Sequence, residues 1–167
     1  MNNEIENLIK KLELQKHPEG GYFKEIYRSE DTVPIEIFPD RNNSLKPYRN
    51  LCTSIYYLLV HEDVSVFHKI KSDEIWHFYQ GSPILLHILN ENTGEYLSKE
   101  LGSKNQFQVV IPKNVWFAAE VKDKNLYSLV GCTVSPGFEF EDFTIAKREE
   151  LLEKFPKYKE LIKKFTK

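Results

Sequence analysis

The sequence is poor in the features that mark several protein classes. Of its 167 residues only two are cysteine. Cys52 and Cys132 lie in apolar, strand-like runs without metal-ligand spacing, which favours buried free thiols in a reducing compartment over a disulfide. No apolar run approaches the length of a membrane span, and the opening MNNEIENLIKKLEL lacks the apolar centre of a signal peptide. A cytoplasmic protein without membrane association is therefore expected. An excess of one charge is missing too. The 23 basic residues stand against 25 acidic ones, so no overall field draws nucleic acid. There is no glycine-rich phosphate loop, no serine or cysteine nucleophile signature and no paired C-x-x-C. Internal repeats and low-complexity linkers are absent as well, so the reading is one domain over 1–167.

What is present is aromatic. Eleven Phe, nine Tyr and two Trp make 13% of the chain, which suits strands, through core packing or an aromatic cavity. Ile5, Leu8, Ile9 and Leu12 recur at helical spacing and predict a short amphipathic helix over 3–14. The cluster His17-Pro18-Glu19-Gly20-Gly21 breaks it, and His17 reads there as an exposed turn histidine. Strands are expected at 22–28, 52–60, 64–70, 74–79, 84–90, 95–100, 107–111, 116–121 and 126–134. The stretch 31–50, with its prolines and polar residues, reads as an irregular arm, either a lid or a surface loop. Phe138 to Phe143 alternates and is expected as a half-buried strand, and 147–165 as a helix interrupted at Pro156. Many short strands without alternating helices give an all-β sandwich or barrel with terminal helices.

The central stretch is HKIKSDEIWHFYQG, His68 to Gly81. A polar turn at Lys71-Ser72-Asp73 between two strands reads as a hairpin. Strand alternation would then put His68 and Glu74 on one interior face, with Trp76 and Phe78, and turn His77 away. Imidazole and carboxylate at this spacing suit a metal ion, an acid/base pair or a hydrogen-bonded structural pair. Two further patches carry candidate chemistry. Pro112 to Phe117 delivers Trp116 and Phe117 as a possible aromatic wall or as core. Gly137 to Asp142 is acidic and aromatic, able to bind a cation or cap a cavity, with a solvated strand face as the plainer reading.

Five blocks in order resemble the cupins, and within them the small single-domain branch without an assigned function: HPEGGYFKEIYRS, TSIYYLL, HKIKSDEIWHFYQG, FQVVIPKNVWFAAEV and LVGCTVSPGFEFEDF. The resemblance implies a double-stranded β-helix, the cupin jelly roll, with its core over about 20–146 and a C-terminal helix over about 147–165. It further implies a central ligand cavity and a homodimer. It also places the usual metal ligands. His68 and Glu74 take two of the four places, while Ile70 and Phe117 stand where histidines belong. No tightly bound metal and no other cofactor is therefore expected. The reading that follows is a protein binding a small molecule among Tyr57, His68, Glu74, Trp76, His77, Phe78, Trp116 and Phe117. The alternative is a metal-independent enzyme similar to the cupin sugar epimerases, with His68 as base, Glu74 setting its tautomer, and Tyr57 or Tyr79 as acid. A metal enzyme with a rearranged site, or a partner-binding role, stands further off.

Overall fold

The computed structural model describes residues 3–41, 44–103 and 106–167. A short helix α1 (Asn3–Lys11) leads into β1 (Gln15–Lys16) and β2 (Tyr22–Arg28). The arm contributes β3 (Thr32–Pro34) and β4 (Tyr48–Asn50). Then follow β5 (Thr53–Val60), β6 (Val64–Ile70), β7 (Asp73–Gly81), β8 (Ile84–Asn90) and β9 (Glu95–Leu101). The last strands are β10 (Gln108–Ile111), β11 (Trp116–Val121), β12 (Tyr127–Ser135) and β13 (Phe143–Ile145), before helices α2 (Arg148–Lys154) and α3 (Lys159–Lys164).

Two antiparallel sheets face each other. The larger runs β1-β2-β5-β12-β7-β10 and the smaller β13-β6-β11-β8-β9, while β3 and β4 form a separate ribbon. This is a double-sheet jelly roll with short terminal helices. Alternation along the strands builds it. In β8, Ile84, Leu86 and Ile88 point between the sheets, where they meet Tyr57, Trp76 and Phe117. His87 and Leu89 point outward. All six residues of β11 are buried, because the smaller sheet is covered on its outer face as well. That cover is the C-terminal segment, whose Phe155, Ile162 and Phe165 pack on Phe67, Leu89 and Trp116. On the outside of the larger sheet, Ile5 and Leu14 pack on Leu58, Val60 and Leu129. Among the described residues no helix is long and apolar enough to cross a membrane.

Two local expectations change. The turn after β6 is not a hairpin: β6 pairs with β11 and β13, whereas β7 pairs with β12 and β10. Lys71 and Ser72 carry the chain across from one sheet to the other. The alternating run at 138–143 is mostly not a strand. A 3₁₀ turn occupies Phe140–Asp142 and only the short β13 follows, since three aromatic rings and the Asp142 ion pairs hold the backbone in a turn. The C-terminal helix is interrupted at Pro156 as expected, leaving two helices separated by a 3₁₀ turn at Pro156–Tyr158. A proline fits the first turn of a new helix and not the interior of a continuing one.

The arm is a strap fixed by two buried arginines. Arg49 holds Asp142 with two bonds, Nε to Oδ2 at 2.9 Å and Nη2 to Oδ1 at 3.2 Å. Arg41 donates to Ser72 Oγ at 2.7 Å and to the Lys71 carbonyl. The strap thus grips the sheet crossing and the 140–142 turn. No described residue of 31–50 lines the cavity between the sheets, and Asn42 and Asn43 lie outside the described residues.

Candidate functional site

The cavity opens at one end of the two sheets and has a volume of about 100 Å³, enough for a small molecule and not merely one water. Its floor is polar. Its mouth is aromatic.

The floor is organised by a segment that turns sharply over the start of β6. Gly20 and Gly21 have φ of +119° and +67°, and a Cβ on Gly20 would lie 2.0 Å from the Val64 carbonyl oxygen. Only glycine permits that approach. The Glu19 carbonyl accepts from Val66 N–H at 2.9 Å, and the Gly20 carbonyl accepts from the Tyr57 hydroxyl at 2.8 Å. Glu19 is thereby carried into the interior, where it is 6% exposed. Its Oε1 accepts from Ser65 Oγ at 2.9 Å, and its Oε2 lies 3.2 Å from His68 Nε2.

The tautomer of His68 follows from its other nitrogen. Nδ1 lies 2.8 Å from the Val66 carbonyl, which can only accept, so Nδ1 carries hydrogen. Nε2 is then the nitrogen turned toward Glu19 Oε2. Val66, not Glu74, sets this tautomer. His17 completes the group. Its Nδ1 accepts from the Glu19 backbone N–H at 3.3 Å and lies 3.5 Å from Glu19 Oε2. Its side chain is 7% exposed and lines the cavity, so it is not the exposed turn histidine of the sequence reading. Burial pushes its pKa down, while the neighbouring Glu19 opposes that shift.

Glu74 reaches the same cavity from the opposite sheet. Burial first, and then the Glu19 charge, push its carboxyl group up to about 8, so at neutral pH it is mostly protonated. Trp76 Nε1 and the Cys132 thiol lie beside it. Trp76 Nε1 itself has no acceptor in hydrogen-bonding geometry. The Cys132 thiol is held well above its ordinary value by burial and by Glu74. Tyr57 is pushed up likewise, by burial and by Glu19.

Above the floor, Ile55, Ile70 and Val134 form apolar walls. The mouth is made by Phe23 from β2 and by Phe138, Phe140 and Phe143 from the turn before and into β13. Arg28 ties these two segments together. Its guanidinium donates to both oxygens of Glu25, to Asn50 Oδ1, to Glu139 Oε1 and to the Phe138 carbonyl.

Of the residues proposed from sequence, Tyr57, His68 and Glu74 line the cavity. The other five do not. Trp76 lies behind Tyr57, edge to face with ring centroids 5.6 Å apart. Phe117 backs His68 at 4.0 Å without reaching the cavity wall. Phe78 points inward but lies along β7 over Gly102, away from the floor. His77 is on the outer face, with Nε2 3.1 Å from Thr133 Oγ1. Trp116 is on the outer face of the smaller sheet, under the C-terminal helices and bonded to Glu91. Tyr79, the alternative acid, is also outside, 48% exposed beside Tyr56. The sequence reading missed Glu19 altogether, and for Gly137 to Asp142 it preferred a solvated strand face to a cap on a cavity, whereas Phe138, Glu139 and Phe140 line the cavity. The paired glycines after Glu19 were the available signal, since such a pair marks backbone that must curl against another strand.

The donor set does not fit the metal that the sequence resemblance brings with it. Ile70 and Phe117 hold two of the four ligand places with hydrocarbon, and both nitrogens of His68 already have oxygen partners. His77 faces away and cannot replace them. Among the described residues no group of three or more His, Cys, Asp or Glu is arranged to hold a metal ion.

A family model described as "Cupin superfamily (DUF985)" matches residues 6–146. The solved structure of protein SO0799 from Shewanella oneidensis is similar with a TM-score of 0.85 at 34% identity, covering 100% of this chain and 99% of that one. A hypothetical protein from Leishmania major follows at TM-score 0.83 and 31% identity, with 96% and 97% covered. The uncharacterized protein YML079W from Saccharomyces cerevisiae is 31% identical over 166 residues, 89% of this chain and 78% of that protein. With a family model over most of its length and relatives matched nearly from end to end, this chain belongs to the cupin superfamily, in the family described as DUF985.

Proposed function

We propose that this protein binds a small molecule in the cavity between its sheets. The observation that carries the reading is the layout of that cavity. His68, Glu19 and His17 converge on one side of a polar floor, Glu74 faces them from the other sheet, and apolar and aromatic walls lead out to the mouth. A concave site of apolar walls with a few convergent polar groups is the ordinary form of a ligand pocket. The test is a saturation-transfer NMR screen of small aromatic and polar fragments against the wild type and a Val134→Phe variant. Val134 lines the cavity and is 5% exposed, so the larger ring fills the space. Binders whose signal disappears in the folded variant are expected. An identical set of binders for both proteins would overturn the reading.

A second reading, proton transfer on the bound molecule, is favoured by one observation. Glu74 is protonated at neutral pH and stands across the cavity from a histidine–carboxylate pair, an acid opposite a base. In this form the pair is His68 with Glu19. Tyr57 is not the acid, because its hydroxyl hydrogen is engaged by the Gly20 carbonyl.

A further inference from the structure

The charged groups around the cavity are unequal in what they leave free. Among the described residues Arg28 is the one lysine or arginine that lines it, and all five of its N–H groups are engaged by Glu25, Asn50, Glu139 and the Phe138 carbonyl. Lys46 reaches Glu139 from outside at 2.7 Å. An anionic occupant, a phosphate ester or a carboxylate, would meet no uncommitted lysine or arginine among the described residues of the wall. The carboxylates differ from one another. Glu25 and Glu139 are neutralised at the mouth by Arg28 and Lys46, and Glu19 is held by Ser65 and His68. Glu74 alone among these four forms no ion pair, although it is only 8% exposed and faces the cavity.

The mouth adds an independent observation. Phe138, Phe140 and Phe143 stand with centroids 5.1, 5.9 and 6.3 Å apart and interplanar angles of 80°, 65° and 90°. The three phenyl rings pack edge to face on one another, with His17 stacked on Phe140 at 6.4 Å, and form an aromatic cage around the mouth whose remaining ring faces can meet an ammonium group. Phe140 remains 56% exposed, so the cage is open to solvent on one side.

We propose that the occupant is a small organic cation, an amine bearing an apolar or aromatic body, that enters past the phenyl cage and places its ammonium nitrogen at Glu74. This rests on the reading that the cavity binds a small molecule, and narrows it to one charge class. The groups facing Glu74 are Glu19 and His17 from the turn, Tyr57 on β5, His68 on β6 and Cys132 on β12. Tyr57 and Cys132 are held neutral by burial, and His17 is pushed toward its neutral form. An arriving ammonium ion therefore favours the ionised form of Glu74, and below about pH 8 its binding expels the carboxyl proton.

The experiment is titration calorimetry of the full chain with three probes of one shape: benzylammonium, benzyl alcohol and benzoate. Benzylammonium is expected to bind about tenfold or more tightly than benzyl alcohol, with benzoate weakest. Repeating the titration at pH 7 in buffers of different ionisation enthalpy is expected to show release of up to about one proton per benzylammonium bound, and none for the alcohol. Glu74→Gln, of the same shape, should abolish proton release and the preference for the cation. Phe140→Ala, at a half-exposed position, should weaken benzylammonium more than benzyl alcohol. Equal or tighter binding of the alcohol or the benzoate would overturn the cation while leaving small-molecule binding intact. No heat from any of the three, in protein whose fold is verified by circular dichroism, would overturn both.

Discussion

Glu74 is enclosed on every side but the cavity, and its carboxyl group titrates near 8 where the ordinary value is 4.5. Between those values the native state keeps a proton that the unfolded chain releases, so stability falls as pH rises through the window. Glu74→Gln removes the effect. Its advantage over the wild type in denaturant midpoint is expected to be small near pH 5 and to grow by about 3 kcal/mol toward pH 8. A difference that does not change with pH would contradict the assignment of the shift to burial. Side chains like this one were accessible to sequence reasoning because strand alternation gives direction: in β6 and β7 it brought His68 and Glu74 to the cavity wall. Alternation says which face a residue shares and not how far along the strand a cavity extends. Trp76, Phe78 and Phe117 share the inner face, and yet they are packed as core. Glu19 and His17 were not legible by the same rule. They lie in a turn, where no periodicity assigns a direction and only the strained glycines give a hint.

The strands themselves were legible. Runs such as 64–70, 84–90 and 116–121 have the boundaries that their composition predicts, since β-branched and aromatic residues bounded by turn formers leave little choice. Pairing between strands was not. A polar three-residue turn looks the same in a hairpin as at a corner between sheets, because the difference lies in partners distant in sequence. Trp116 shows a related ambiguity: β11 carries a large aromatic residue on each face, and only Glu120, on the face of Trp116, marks which one turns away from the cavity. The structure places that indole beneath α2 and α3. Trp116→Ala is expected to cost about 3–5 kcal/mol, as large core truncations do, while leaving cavity ligands bound with unchanged affinity in the folded fraction. Urea denaturation and the fragment screen together check this. A loss of binding without a loss of stability would return Trp116 to the site.

At the scale of the molecule, the strands that neighbour one another are mostly far apart along the chain. β5 lies between β2 and β12, and β12 lies between β5 and β7. Such topologies must close long loops before any pair of strands is rewarded, which predicts refolding over roughly milliseconds to seconds instead of microseconds. Stopped-flow dilution from urea reads this directly, and a microsecond phase carrying the whole amplitude would refute it. The strap belongs to this scale as well. Through Arg41 and Arg49 it fastens the sheet crossing and the turn of the phenyl cage to one another, so the two sides of the cavity are held by a segment whose described residues contribute none of its lining.

The position of Trp76 has a practical consequence. This chain has two tryptophans, and they report on different places. Trp116 lies under the terminal helices, while the indole of Trp76 stands beside the Glu74 carboxyl group with its N–H unengaged. Indole emission responds to the field around the ring and is quenched by a neighbouring carboxylic acid. A Trp116→Phe protein would thus carry a single tryptophan just behind the floor of the cavity, and its brightness and colour would record, without any label, whether Glu74 holds its proton and when something arrives beside it.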